Sequence, residues 1–168
     1  MRLSQAARPA VGVVLLAGLY LTSLYSYNLF HSLVECFSVV VAAGVFVIAW
    51  NARAFTSNAY VVFLGSALIF VAGVDLLHTL AYQGLAVFPG YDTDLPTQLW
   101  LAGRYLHVLA LLVAPFVMAR RMRPYWYAAG WAALTAVLVT LIFTETFPSA
   151  YVVGEGLTTF KLVSEYAI

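Results

Sequence analysis

Apolar residues run along this chain in blocks of about twenty, interrupted by short polar stretches, with neither the strict alternation of a strand nor the one-sided stripe of a soluble amphipathic helix. Helices that are apolar on every side belong in lipid, and about 20 such residues cross its hydrocarbon core. The pattern predicts an all-α, polytopic transmembrane bundle. Its spans cover residues 10–30, 33–50, 60–82, 99–118 and 126–143, with a sixth starting near residue 157 and cut short at Ile168. The first block follows Arg2 and Arg8 and resembles a secretory signal. It is longer than a signal core, has no small-x-small cleavage site and is followed by further spans, so it reads as a retained anchor.

The polar stretches orient the bundle. Arg2 and Arg8 precede the first span, Arg53 follows the second, and Arg120, Arg121 and Arg123 follow the fourth. The alternate loops carry Asp92, Asp94, Glu145 and Glu155 with no Lys or Arg. Basic residues stay on the cytoplasmic side, so the N-terminus is expected there and the sixth span is expected to head inward. Trp50, Trp126 and Trp100 fall where interfacial anchors belong. Pro89, Gly90 and Pro96 mark turns in the longest outer loop, and the Gly154-Glu155-Gly156 stretch is a turn rather than a phosphate-binding loop. The small residues Ala42, Ala43, Gly44, Gly65 and Ser66 permit close helix approach without forming a strict GxxxG motif.

Composition agrees. Of 168 residues 64% are hydrophobic and 9% charged, against roughly 25% charged in an ordinary soluble domain. This excludes a soluble globular protein and an intrinsically disordered one. A formal charge of +1 offers no basic surface for nucleic acid. The single cysteine, Cys36, forms no internal disulfide and reads as a packing residue.

Few charges remain, and several lie where lipid disfavours them. His31, Glu35, Asp75, His78, Arg104, His107, Lys161 and Glu165 fall inside or at the edges of the spans, where a central charge costs ~2.5–3.5 kcal/mol. They come in pairs spaced i,i+3 or i,i+4, so each pair shares a helix face. At 1.5 Å per residue all four faces lie roughly 5–12 Å from the outer helix ends. They are expected to form one outer-leaflet pocket, with Tyr82, Gln98, Tyr105 and Tyr166 along its walls. Glu35, Asp75 and Glu165 bring three negative charges against two positive ones on Arg104 and Lys161. The surplus negative charge requires a proton, a histidinium or a bound cation. His31, Glu35, Asp75, His78 and His107 are candidate ligands for a transition metal, and paired histidines also suit haem. A purely structural polar network holding the helices together is the plain alternative.

Five strings carry a resemblance: Phe30-His31-Ser32-Leu33-Val34-Glu35, Ala49-Trp50-Asn51-Ala52-Arg53, Asp75-Leu76-Leu77-His78-Thr79-Leu80-Ala81-Tyr82, Gln98-Leu99-Trp100-Leu101-Ala102-Gly103-Arg104-Tyr105, and Gly156-Leu157-Thr158-Thr159-Phe160-Lys161-Leu162-Val163-Ser164-Glu165-Tyr166. In this order, from about residue 28 to the end, they resemble the membrane-associated sensor domain of the third MASE class. His107 lies outside them. The resemblance implies a multi-pass sensory input domain of the bacterial inner membrane, with a cytoplasmic histidine kinase or diguanylate cyclase module in cis after residue 168. It also implies a homodimer in the intact protein. It names no stimulus and no cofactor, and these residues contain no kinase box or GGDEF motif. A second reading from the residues alone is a metal-dependent lipid hydrolase, with Zn held by His31, His78 and His107 and a water activated beside Asp75.

Overall fold

The structure, a computed structural model, describes residues 7–85 and 87–168. Six helices follow one another: α1 (Ala7–Tyr25), α2 (Tyr27–Ala52), α3 (Ala59–Ala81), α4 (Asp94–Val117), α5 (Pro124–Phe143) and α6 (Thr159–Ala167). Between α5 and α6 lies a two-residue antiparallel ladder, β1 (Tyr151–Val152) with β2 (Gly156–Leu157), closed by the expected turn with Gly154 and Gly156 at positive φ. The bundle is helical because lipid leaves backbone N–H and C=O groups no partners but one another. Four helices, α2 to α5, are long and apolar enough to cross a membrane, and α1 contributes a shorter apolar segment, Pro9–Tyr25. Five complete spans were expected, and among the described residues four reach that length and apolarity, with α1 apolar over its described part. Arg2, one of the basic residues used to orient the chain, lies outside the described residues.

Helix ends differ from the sequence pattern for local reasons. Ser26 caps α2 by accepting from the Leu29 N–H, so Tyr27 to Phe30 belong to the second helix rather than the first. Asp94 opens α4 five residues before the expected start at 99. Pro96, read from sequence as a loop residue, lies in the first turn, where a missing N–H is harmless. Arg104 consequently lies ten residues, about 15 Å, from the start of its helix. Thr158 caps α6 through the Lys161 N–H, so that helix begins at Thr159.

The core lies around α3, which packs against α2, α4 and α5. Phe63, Val71 and Val74 of α3 meet Leu99, Ala102 and Leu106 of α4 and Trp131 and Ile142 of α5. α2 buries little and leaves Phe37, Val40 and Ile48 exposed, as a lipid-facing helix does. It crosses α3 closely at Gly65, where an added Cβ would run into the Ala49 side chain. At the same end, Arg53 lies over Trp50, 4.4 Å from the ring centroid, and reaches towards Tyr125 of α5.

The chain entering α6 is tied to the start of α4. Asp94 Oδ1 accepts from the backbone N–H groups of Ala150 (2.7 Å) and Tyr151 (2.8 Å), and Gln98 Nε2 donates to the carbonyls of Phe147 (3.3 Å) and Pro148 (3.2 Å). Thr158 closes the loop on itself, donating from Oγ1 to the Ser149 carbonyl. This clamp sets where α6 begins. Asp94→Ala strands two backbone donors that were bonded to a carboxylate, a loss of about 1.5–3 kcal/mol. Thermal unfolding in detergent should register it as a lowered midpoint, accompanied by earlier proteolysis between residues 144 and 158.

Candidate functional site

The ionisable residues of the spans fall into two groups that share α3. The first joins α3, α4 and α6. Asp75 is buried, and Arg104 Nη2 bridges both its carboxylate oxygens at 2.8 Å. α4 comes this close because position 103 is glycine: a Cβ there would lie 2.7 Å from Asp75 Oδ1. Arg104 also stands 5.7 Å from the centroid of Trp100, one turn earlier on α4. Lys161 of α6 places its ammonium 3.5 Å from the same centroid. Lys161 is only 5% exposed, and its Nζ donates to Glu165 Oε1 at 2.7 Å. A cation desolvated over an indole is worth ~2 kcal/mol, so Trp100 fastens α6 to α4. Tyr105 adds a second tie, its hydroxyl donating to Ser164 Oγ at 2.5 Å. The contacts run in one line, Asp75 to Arg104 to Trp100 to Lys161 to Glu165, from the bundle core to the last helix.

The second group lies where α2 begins and α3 ends. Asn28 Nδ2 donates to the Gln83 carbonyl at 3.3 Å, which holds the start of α2 to the chain just beyond α3. Gly84 makes that approach with φ +105°, a backbone conformation natural to glycine. His31 stacks on Tyr82 with centroids 4.0 Å apart and meets the His78 ring at 5.4 Å, edge to face. His31 Nε2 stands 3.9 Å from Glu35 Oε1. His78 is buried, and its Nδ1 lies 2.7 Å from the Pro96 carbonyl of α4. A carbonyl only accepts, so Nδ1 donates and Nε2 carries the lone pair of the neutral ring.

The single pocket expected from sequence is therefore divided. Asp75, Arg104, Tyr105, Lys161 and Glu165 form one group and His31, Glu35, His78 and Tyr82 the other. Gln98 stands apart as part of the loop clamp. A cavity of about 360 Å³ lies there, lined by Tyr91, Asp92, Asp94, Gln98, Glu145 and Ser149, over the start of α4 rather than over the histidines. Tyr166, expected along the pocket, is 92% exposed. His107 and Asp75 lie outside the set of close metal-capable donors among the described residues, and the Asp75 carboxylate is already engaged by Arg104. The arrangement drawn for a lipid hydrolase is thus not assembled. Trp100 was read from sequence as an interfacial anchor and Pro96 as a turn marker, while Gly103 and Ser164 entered only within the strings that carry the resemblance. The one available signal was the i,i+4 spacing of Trp100 and Arg104.

A multi-pass helical bundle that is apolar outside and gathers its few charges inside is the architecture of a polytopic membrane protein rather than of a soluble domain. The chain matches the family model of MASE3, described as a membrane-associated sensor domain, over residues 22–168, and it belongs to that family. No curated protein and no solved structure matches it.

The Asp75–Arg104 pair gives a direct test of how the centre is held. Arg104→Ala leaves a buried carboxylate without its cation and should cost about 3–5 kcal/mol. Arg104→Lys keeps the charge but cannot supply the planar two-oxygen grip, so its loss should be smaller. Reversible unfolding in detergent micelles measures both, and equal losses would mean that the reach and shape of the guanidinium, rather than its charge, hold the pair.

Proposed function

We infer that this chain is the sensory input domain of a bacterial inner-membrane signalling protein, with a cytoplasmic output, a histidine kinase or diguanylate cyclase, following α6. Membership of a sensor family supports the sensory role. The observation that carries the coupling is the line of contacts from Asp75 to Glu165, because it ties the buried centre of α3 and α4 to α6. In this reading the N-terminus is cytoplasmic, the protein works as a homodimer, and both polar groups face the extracytoplasmic half of the membrane.

The stimulus acts on the ionisable residues around α3. A bound ligand or a proton that changes how Asp75 pairs with Arg104 alters where Arg104 stands against Trp100, and so how firmly Lys161 is held. α6 then shifts or rotates as a rigid element between two arrangements. A stimulus drives this only to the extent that it prefers one of them.

Trp100→Leu removes the ring between the two cations without touching either ion pair. In membrane vesicles carrying the intact protein, basal kinase or cyclase output should change by about 2- to 30-fold, the range expected of a residue that transmits 0.5–2 kcal/mol of coupling. Lys161→Met should act in the same direction. Output at the unsubstituted level in both variants, with normal membrane insertion, would falsify this route.

A further inference from the structure

The charge count of the spans leaves one carboxylate over, and the structure identifies it. Arg104 takes Asp75 and Lys161 takes Glu165, while among the described residues Glu35 has only His31 beside it, at 3.9 Å. His31 offers no fixed charge. One ligand atom each from His31, Glu35 and His78 lies within 4.8 Å of the other two. Donors around a tetrahedral ion at 2.0–2.1 Å stand about 3.4 Å apart, so a contraction of at most about 1.4 Å closes the set.

Two further features point to a ligand. His78 is 5% exposed, and its Nε2 is buried with no hydrogen-bond partner among the described residues. Such an orphaned polar atom is uncommon and costs about 1–3 kcal/mol if nothing fills its place. The same ring donates its other nitrogen to the Pro96 carbonyl, the outer-shell bond that metal-binding histidines almost always make and that turns the free lone pair towards the ion. His31 also has a buried nitrogen, Nδ1, without a partner.

We propose that His31, Glu35 and His78 bind a divalent transition-metal ion of the zinc type. Two imidazoles and one carboxylate suit this class better than Mg²⁺ or Ca²⁺, which take oxygen ligands. Three protein donors leave a fourth position for water or an exogenous ligand. The ion also neutralises the carboxylate that no Lys or Arg among the described residues pairs. The His31 and Glu35 side chains keep 15% and 20% of their surface exposed, so the site is not sealed on that side. That the ion is the stimulus rests on the sensory reading above, whereas its binding rests on the geometry alone.

Co²⁺ titrated into the protein in lipid nanodiscs reads the site optically, and Zn²⁺ competition gives the affinity. The expected result is one ion per chain, with visible ligand-field bands of low coordination number that Zn²⁺ abolishes. His78→Ala should weaken binding by about 100-fold or more, beyond the usual effect of losing an outer-shell partner. Glu35→Gln, a near-isosteric change on a partly exposed residue, should weaken it by about 10-fold and keeps the test sound if His78→Ala fails to fold. His107→Ala should bind as the parent protein does. No stoichiometric binding, or binding unchanged in both Glu35→Gln and His31→Ala, overturns the proposal. Because binding is measured without any output module, either result leaves the sensory reading to its own test by Trp100→Leu.

Discussion

A carboxylate in the middle of an apolar bundle has to be answered by a cation on a neighbouring helix, and the placement of the other helices follows from how that is done here. Asp75 on α3 is answered by Arg104 on α4. The two helices must run close enough for a guanidinium to span both oxygens, which fixes glycine at position 103 and sets the depth at which α4 crosses α3. With α4 so placed, Trp100 faces α6, and the Pro96 carbonyl comes within a hydrogen bond of His78. One ion pair thus determines both where α6 docks and which nitrogen of His78 is left free.

Around that pair the bundle is held by ordinary means. α3 is covered by α2, α4 and α5 and supplies much of the core, whereas α2 turns most of its apolar surface outward, as lipid allows. α6 is tied in place at its N-cap, where Thr158 bonds to the Ser149 carbonyl, by a cation over an indole and by a tyrosine hydroxyl on Ser164.

Much of this was legible in the sequence because membrane solvent exaggerates the signal. Apolar blocks gave the helices, and the rarity of charge made each ionisable residue conspicuous, down to the unpaired negative charge that the structure assigns to Glu35. Helix ends were less legible. Ser26 acts through one capping bond that a hydropathy window averages away, and α4 starts on the polar Asp94, so two boundaries lie about one turn from the hydropathy pattern. The grouping of the polar residues was not legible either. Periodicity says which residues share a face of one helix, but not which neighbouring helix that face meets, so one expected pocket became two groups and Gln98 went to the loop clamp. Trp100 was hidden for a similar reason: its partner Lys161 is 61 residues away in sequence.

The indole between Arg104 and Lys161 has an electrical consequence. An aromatic face attracts both cations without carrying a charge of its own, and unlike a carboxylate it takes up no proton. The middle of the line from α3 to α6 is therefore held without a counter-charge, and its two carboxylates stand only at its ends, Asp75 in the core and Glu165 on the more open side. The two ends differ in access, with side-chain exposures of 4% and 38%, so the same line presents one shielded terminal and one open one.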